Sequence, residues 1–136
     1  MELEIELLDS MLSFSWEEFN IQKAYYDNYM DQLIVVEEQE ERILKERSLY
    51  QSKLDGFTSG FAGKHSVLNR YQDKIDALNE ELAKVEDTIK GLKILLIYWD
   101  GTRNYTYVKI RSLQKKRGKA KVNEFIKHNP WVKEQN

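Results

Sequence analysis

The stretch "LNRYQDKIDALNEELAKVEDTIKGLKILLIYW" (residues 68–99) decides the fold. Leu68, Tyr71, Ile75, Leu78, Leu82, Val85, Ile89, Leu92, Leu96 and Trp99 follow one another at alternating steps of three and four. That spacing returns each side chain to the same side of an α-helix, so the stretch predicts a helix with a heptad seam. Ser66 stands where an N-cap belongs, and Asp100 with Gly101 where a helix would stop. Gly91 costs about 1 kcal/mol relative to alanine in a helix interior. Packing of the flanking Ile89, Leu92 and Leu96 offsets that cost.

Working outward, a second stripe with the same steps lies upstream: Tyr26, Tyr29, Leu33, Val36, Glu40, Ile43, Arg47, Tyr50, Leu54 and Phe57. Two of its positions, Glu40 and Arg47, are charged and lie one heptad apart. Burying either without a partner is costly. Either they meet charges of another chain, or the seam rotates there and exposes them. The start of this helix is predicted at Trp16. Ser15 and Glu18 have the spacing of a capping box, in which the hydroxyl takes the N3 amide and the glutamate reaches back. Phe14 and Phe19 have the spacing of a hydrophobic staple. Residues 1–14 then read as a short helix or arm with Leu3, Leu7, Leu8 and Leu12 on one side.

Between the stripes lies "GFTSGFAGKHS" (residues 56–66). A phosphate-binding loop needs Ser or Thr after its Gly-Lys pair, a glycine five residues before that pair, and a preceding strand. Here His65 follows Lys64, Thr58 occupies the glycine position, and a helix precedes. The glycines serve instead to reverse the chain between two comparable helical arms. The expected architecture is an all-α antiparallel helical hairpin over 15–101, with a tip loop at 55–66. Phe57 and Phe61 either cap the open end of the hairpin or stand exposed as a partner-binding anchor.

Residues 102–136 form a basic C-terminal segment. "YTYVKI" (residues 105–110) alternates β-forming residues, and a hairpin with "ILLIYW" is conceivable. The intact heptad up to Trp99 favours helices. Gly118 after "LQKKR" reads as a helix end, followed by a last helix that stops before Pro130.

Charge is distributed unevenly. Residues 1–50 carry 13 acids and 4 bases, net −9, whereas residues 101–136 carry 2 acids and 10 bases, net +8. The tail cations Lys109, Arg111, Lys115, Lys116, Arg117, Lys119 and Lys121, with Tyr105 and Tyr107 upstream, are candidate contacts to an anion or nucleic acid across residues 103–121. No sequence-reading DNA motif accompanies them, so weak sequence preference is expected. The alternative is that the acidic and basic ends meet, within one chain or between neighbours.

Other chemistry has little to work with. The chain has no cysteine and two histidines, His65 and His128, neither spaced with other residues as a metal ligand. No serine lies in a nucleophile-elbow context. "EEQEER" (residues 37–42) reads as a solvated face with i,i+4 pairs. No catalytic residue, cofactor, metal or small-molecule substrate is therefore expected, and no enzyme. The longest apolar run, "ILLIYW", is far below the roughly 20 residues a membrane helix needs.

The sequence points first to a non-enzymatic structural or adaptor protein that forms a homo-oligomer or joins a larger assembly. Leu33, Val36, Ile43, Leu68, Ile75, Leu78, Leu82, Val85, Ile89, Leu92 and Leu96 are the candidate oligomer or hairpin seam. Lysines outnumber arginines 15 to 6, a usage common in AT-rich bacterial and phage genomes, which extends the expectation to a viral or mobile-element assembly. The location expected is the cytoplasm, or the virion for a phage protein. A nucleic-acid accessory protein acting through the tail is the second expectation. The third is an inhibitor whose acidic helix, through Glu37, Glu38 and Glu41, imitates a nucleic-acid backbone.

Overall fold

The computed structural model describes residues 2–58 and 65–132, in which two helices form: α1 is Glu2–Thr58 and α2 is His65–His128, followed by a short turn over 129–132. The helices pack against each other and the described residues contain no strand, so the chain is an all-α helical hairpin. Phe61 and the side chain of Phe57 lie outside the described residues. Contacts divide the chain into two units, one joining Met1–Asp27 to Ile97–Asn136 and the other comprising Asn28–Leu96.

In the Asn28–Leu96 unit the buried residues are those of the two stripes. Leu33, Ile43, Ile75, Leu78, Leu82, Ile89 and Leu92 are buried, as is Leu96, and Val36, Leu68 and Val85 are half-buried. Ile43 packs with Leu78 and Leu82, with Tyr50 and Val85 against the cluster. The Tyr50 and Tyr71 rings meet at 6.1 Å. The charged seam positions lie at the edge of the packed face, and one of them finds a partner on α2. Glu40 and Arg47 are half-buried, and the Arg47 guanidinium donates to Asn79 Oδ1 on α2 at 3.0 Å. A long aliphatic stem lets arginine cover the seam while its head reaches the rim.

The unit of Met1–Asp27 and Ile97–Asn136 corrects the expected boundaries. Ser15 is no N-cap: α1 already runs from Glu2, and Ser15 is a buried interior residue at 1% exposure. The heptad simply continues upstream through Ile5, Leu8, Leu12, Ser15, Phe19, Gln22 and Tyr26, all buried or half-buried. Leu3 and Leu7, expected beside Leu8 and Leu12, instead face outward, as does Phe14. The reason is helical phase, since Leu8 and Leu12 share the α2-facing stripe and Leu3 and Leu7 lie off it.

The predicted stop at Asp100 and Gly101 also lies inside a helix, as does Gly118. No described residue has a positive φ, so neither glycine is a left-handed cap. Local bonds carry α2 through. Thr102 Oγ1 donates to the Tyr98 carbonyl at 2.8 Å and Thr106 Oγ1 to the Thr102 carbonyl at 3.1 Å. Arg103 bonds Asp100 Oδ1 at 2.6 Å while lying 4.5 Å over the Tyr26 ring. Beyond them the seam continues through Thr106, Ile110, Leu113 and Ala120, all buried. Leu8, Leu113 and Ala120 form a core with Ile5 and Leu12 against it. The helix ends at His128, where Asn129 Nδ2 donates to the Phe125 carbonyl at 2.8 Å, just before Pro130.

Candidate interaction surface

With α1 continuous from Glu2, the acidic start of one helix and the basic end of the other fall in a single unit. Residues 1–27 carry 7 acids and 1 base, and residues 97–136 carry 3 acids and 10 bases. Arg117 pairs directly with Asp9 across the two helices. The meeting of opposite ends considered from sequence thus occurs within one chain.

The aromatic residues near this end also meet one another, within each helix and across the two. Trp16 meets Phe19 edge-on at 5.5 Å, and Phe19 meets Tyr107 at 6.0 Å. Tyr25 stacks on Trp99 at 4.6 Å and 13°. Tyr98 abuts Trp99 edge-on at 5.1 Å.

The seven tail cations do not form one stripe. Arg117 takes a seam position, half-buried, while Lys109, Arg111, Lys115, Lys116, Lys119 and Lys121 are exposed around the rest of the helix. Arg111, Lys115 and Lys119 succeed one another at i,i+4 and so form one outer ridge. Arg111 leans on Tyr107, 5.9 Å from its ring and 3.4 Å from its hydroxyl. Glu37, Glu38 and Glu41 are exposed on α1, with Glu41 bonded to Lys45 at 3.2 Å. Among the described residues no group of three His, Asp or Glu side chains is placed to hold a metal ion, and no helix is long and apolar enough to cross a membrane.

What sequence reasoning missed is a second apolar stripe on α1. Leu7, Met11, Phe14, Ile21 and Tyr25 are all exposed large hydrophobics. Leu7, Phe14 and Ile21 repeat at one heptad, so they share a face distinct from the seam. The seven-residue spacing is in the sequence, but it reads as a separate face only once the α2-facing side of α1 is known. On α2, Tyr98 and Tyr105 repeat at the same interval and are also exposed. Both helices contribute to one flank of the unit, because Met11 and Phe14 line a shallow, mostly apolar pocket with Ser10, Ser15 and Lys109. Trp16, Phe19 and Tyr107 mark the opposite flank.

No protein-family model matches this chain, and no curated protein and no solved structure shows significant similarity to it.

Proposed function

We propose that this chain is a non-enzymatic helical structural or adaptor subunit that self-associates within a larger assembly, in the cytoplasm or in a virion. The observation that carries this reading is the heptad-spaced apolar stripe left uncovered on the Met1–Asp27 part of α1. Solvent-facing helix positions ordinarily carry polar residues, and contiguous exposed apolar surface marks interaction sites. Sedimentation velocity across a concentration series tests it. Concentration-dependent dimers or larger species are expected. A strict monomer at tens of micromolar overturns self-association.

A second reading rests on the exposed Arg111, Lys115 and Lys119 ridge, which fits the spaced charges of a nucleic-acid backbone. Fluorescence anisotropy with a labelled duplex and a labelled single strand at low and high salt tests it. Unchanged anisotropy at low salt, or binding indifferent to Lys115→Glu with Lys119→Glu, removes this reading.

A further inference from the structure

We infer that a second copy of this chain seats on the flank formed by Leu7, Met11, Phe14, Ile21 and Tyr25 of α1 and Tyr98 and Tyr105 of α2, each α1 lying antiparallel against the partner's α2. This rests on the self-association reading and names its surface and pairing.

Three observations carry it. The first is the patch itself. Phe14, Tyr98 and Tyr105 are 66%, 60% and 76% exposed. At roughly 150–250 Å² per aromatic side chain, these three alone leave on the order of 300–500 Å² uncovered. A standard interface buries about 800 Å² per partner, and Leu7, Met11, Ile21 and Tyr25 extend the patch toward that size. The second is periodicity. The heptad spacing of the stripe is what a second helix–helix seam requires, so each α1 can serve its own α2 on one face and the partner's on another.

The third observation is charge, and it selects the pairing. Glu4 and Glu18 fall on the 3–4 steps of the α1 stripe itself, at 4, 7, 11, 14, 18, 21 and 25, and Lys109 and Lys116 fall on those of the α2 side, at 98, 102, 105, 109, 112 and 116. Turning two copies so that α1 meets α1 sets Glu4 and Glu18 against each other. Joining α2 to α2 opposes Lys109 and Lys116 in the same way, and like charges across a helical seam are unfavourable. A two-fold axis parallel to the helices avoids both. It places the partner's α2 at the level of the chain's own α2, which the Leu8–Leu113 cluster and the Asp9–Arg117 pair define. Glu4 then lies level with Lys116, Met11 with Lys109, Phe14 with Tyr105, and Tyr25 with Tyr98. Because the same patch serves both copies, the contact is isologous and closes as a dimer.

The lack of native cysteine allows a direct test. Full-length Glu4→Cys and Lys116→Cys chains are mixed and treated with a short bismaleimide. Single-cysteine chains cannot cross-link internally, so every product joins two copies. The mixture is expected to give at least about fivefold more cross-linked dimer than either variant alone. Glu4→Lys is expected to raise the dimer dissociation constant about tenfold, and Glu4→Lys with Lys116→Glu to restore it. Phe14→Ser and Tyr105→Ser, at exposed positions, are expected to raise it with helicity at 222 nm retained. A monomer in sedimentation overturns both this inference and the self-association reading. An oligomer whose mixed cross-link is no stronger than the single-variant ones, and which Phe14→Ser leaves intact, overturns this surface alone.

Discussion

Replacing Ile110 with alanine discriminates between a hairpin that ends near Trp99 and one whose seam continues to Ala120. Ile110 is 0% exposed, the deepest apolar residue on α2, yet it lies beyond the point where the clean heptad of residues 68–99 ends. The substitution removes three carbons. At about 0.8 kcal/mol per buried methylene, the transfer loss is roughly 2.4 kcal/mol. A residual cavity raises the total within the 2–5 kcal/mol range of Ile→Ala changes in packed cores. At roughly 3–5 °C per kcal/mol for a chain of this size, Tm should fall by about 10 °C. Thermal melts followed at 222 nm, run at matched and low protein concentration, provide the measurement. Ile43→Ala, at 2% exposure in the other unit, is the positive control. Val108→Ala, two residues away and 66% exposed, is the negative one. If Ile110→Ala melts within about 1 °C of the parent while Ile43→Ala does not, residues beyond Trp99 do not share in the core and the continuous seam is refuted.

Three further outcomes follow from the same geometry. Ser15→Ala should leave Tm unchanged or raise it, because Ser15 Oγ is buried without a protein hydrogen-bond partner and alanine is the better helix former; a loss of about 1 kcal/mol would restore the N-cap role. Gly101→Ala should stabilise by up to about 1 kcal/mol, since an added Cβ meets nothing within 4 Å and the helix is uninterrupted; destabilisation in the same melt would indicate a turn there. A double-mutant cycle on Asp9→Asn and Arg117→Gln should give a coupling of only about 0.2–1 kcal/mol, weakening with added salt, because both side chains are partly exposed. A coupling that salt leaves unchanged would mean that the pair is shielded from solvent.

The clean part of the fold was legible from spacing because heptad steps follow directly from helical geometry. Leu68 to Trp99 needed no tertiary information to be read as one helix with one buried face. The ends were misread for a specific reason. Ser15, Gln22, Arg103 and Thr106 occupy seam positions with polar side chains, so a search for apolar periodicity stops at them. Ser15 and Glu18 also match a capping box, which is a local pattern and therefore arises within a continuous helix as readily as at its start. Gly101 and Gly118 looked like stops because glycine disfavours helix interiors by about 1 kcal/mol. Tertiary contacts at Arg103, Ile110, Arg117 and Ala120 outweigh a cost of that size.

Of the candidate surface, only the charge asymmetry was visible beforehand. The second stripe could not be separated from the first without knowing which face α2 covers, because Leu7 and Leu8 differ by one residue and thus by about 100° around the helix.

Residue spacing and composition specify a helical protein, two heptad-bearing arms joined through a glycine-rich stretch, and ends of opposite charge. Those properties are local or compositional. Tertiary structure alone decided the register, because a slip of one heptad keeps apolar residues in the seam. Only the pairing of particular side chains separates the alternatives: Tyr50 with Tyr71 in one unit, and Tyr25 with Trp99, Phe19 with Tyr107 and Asp9 with Arg117 in the other. Such contacts join residues far apart in the chain, and no periodicity within either helix specifies them.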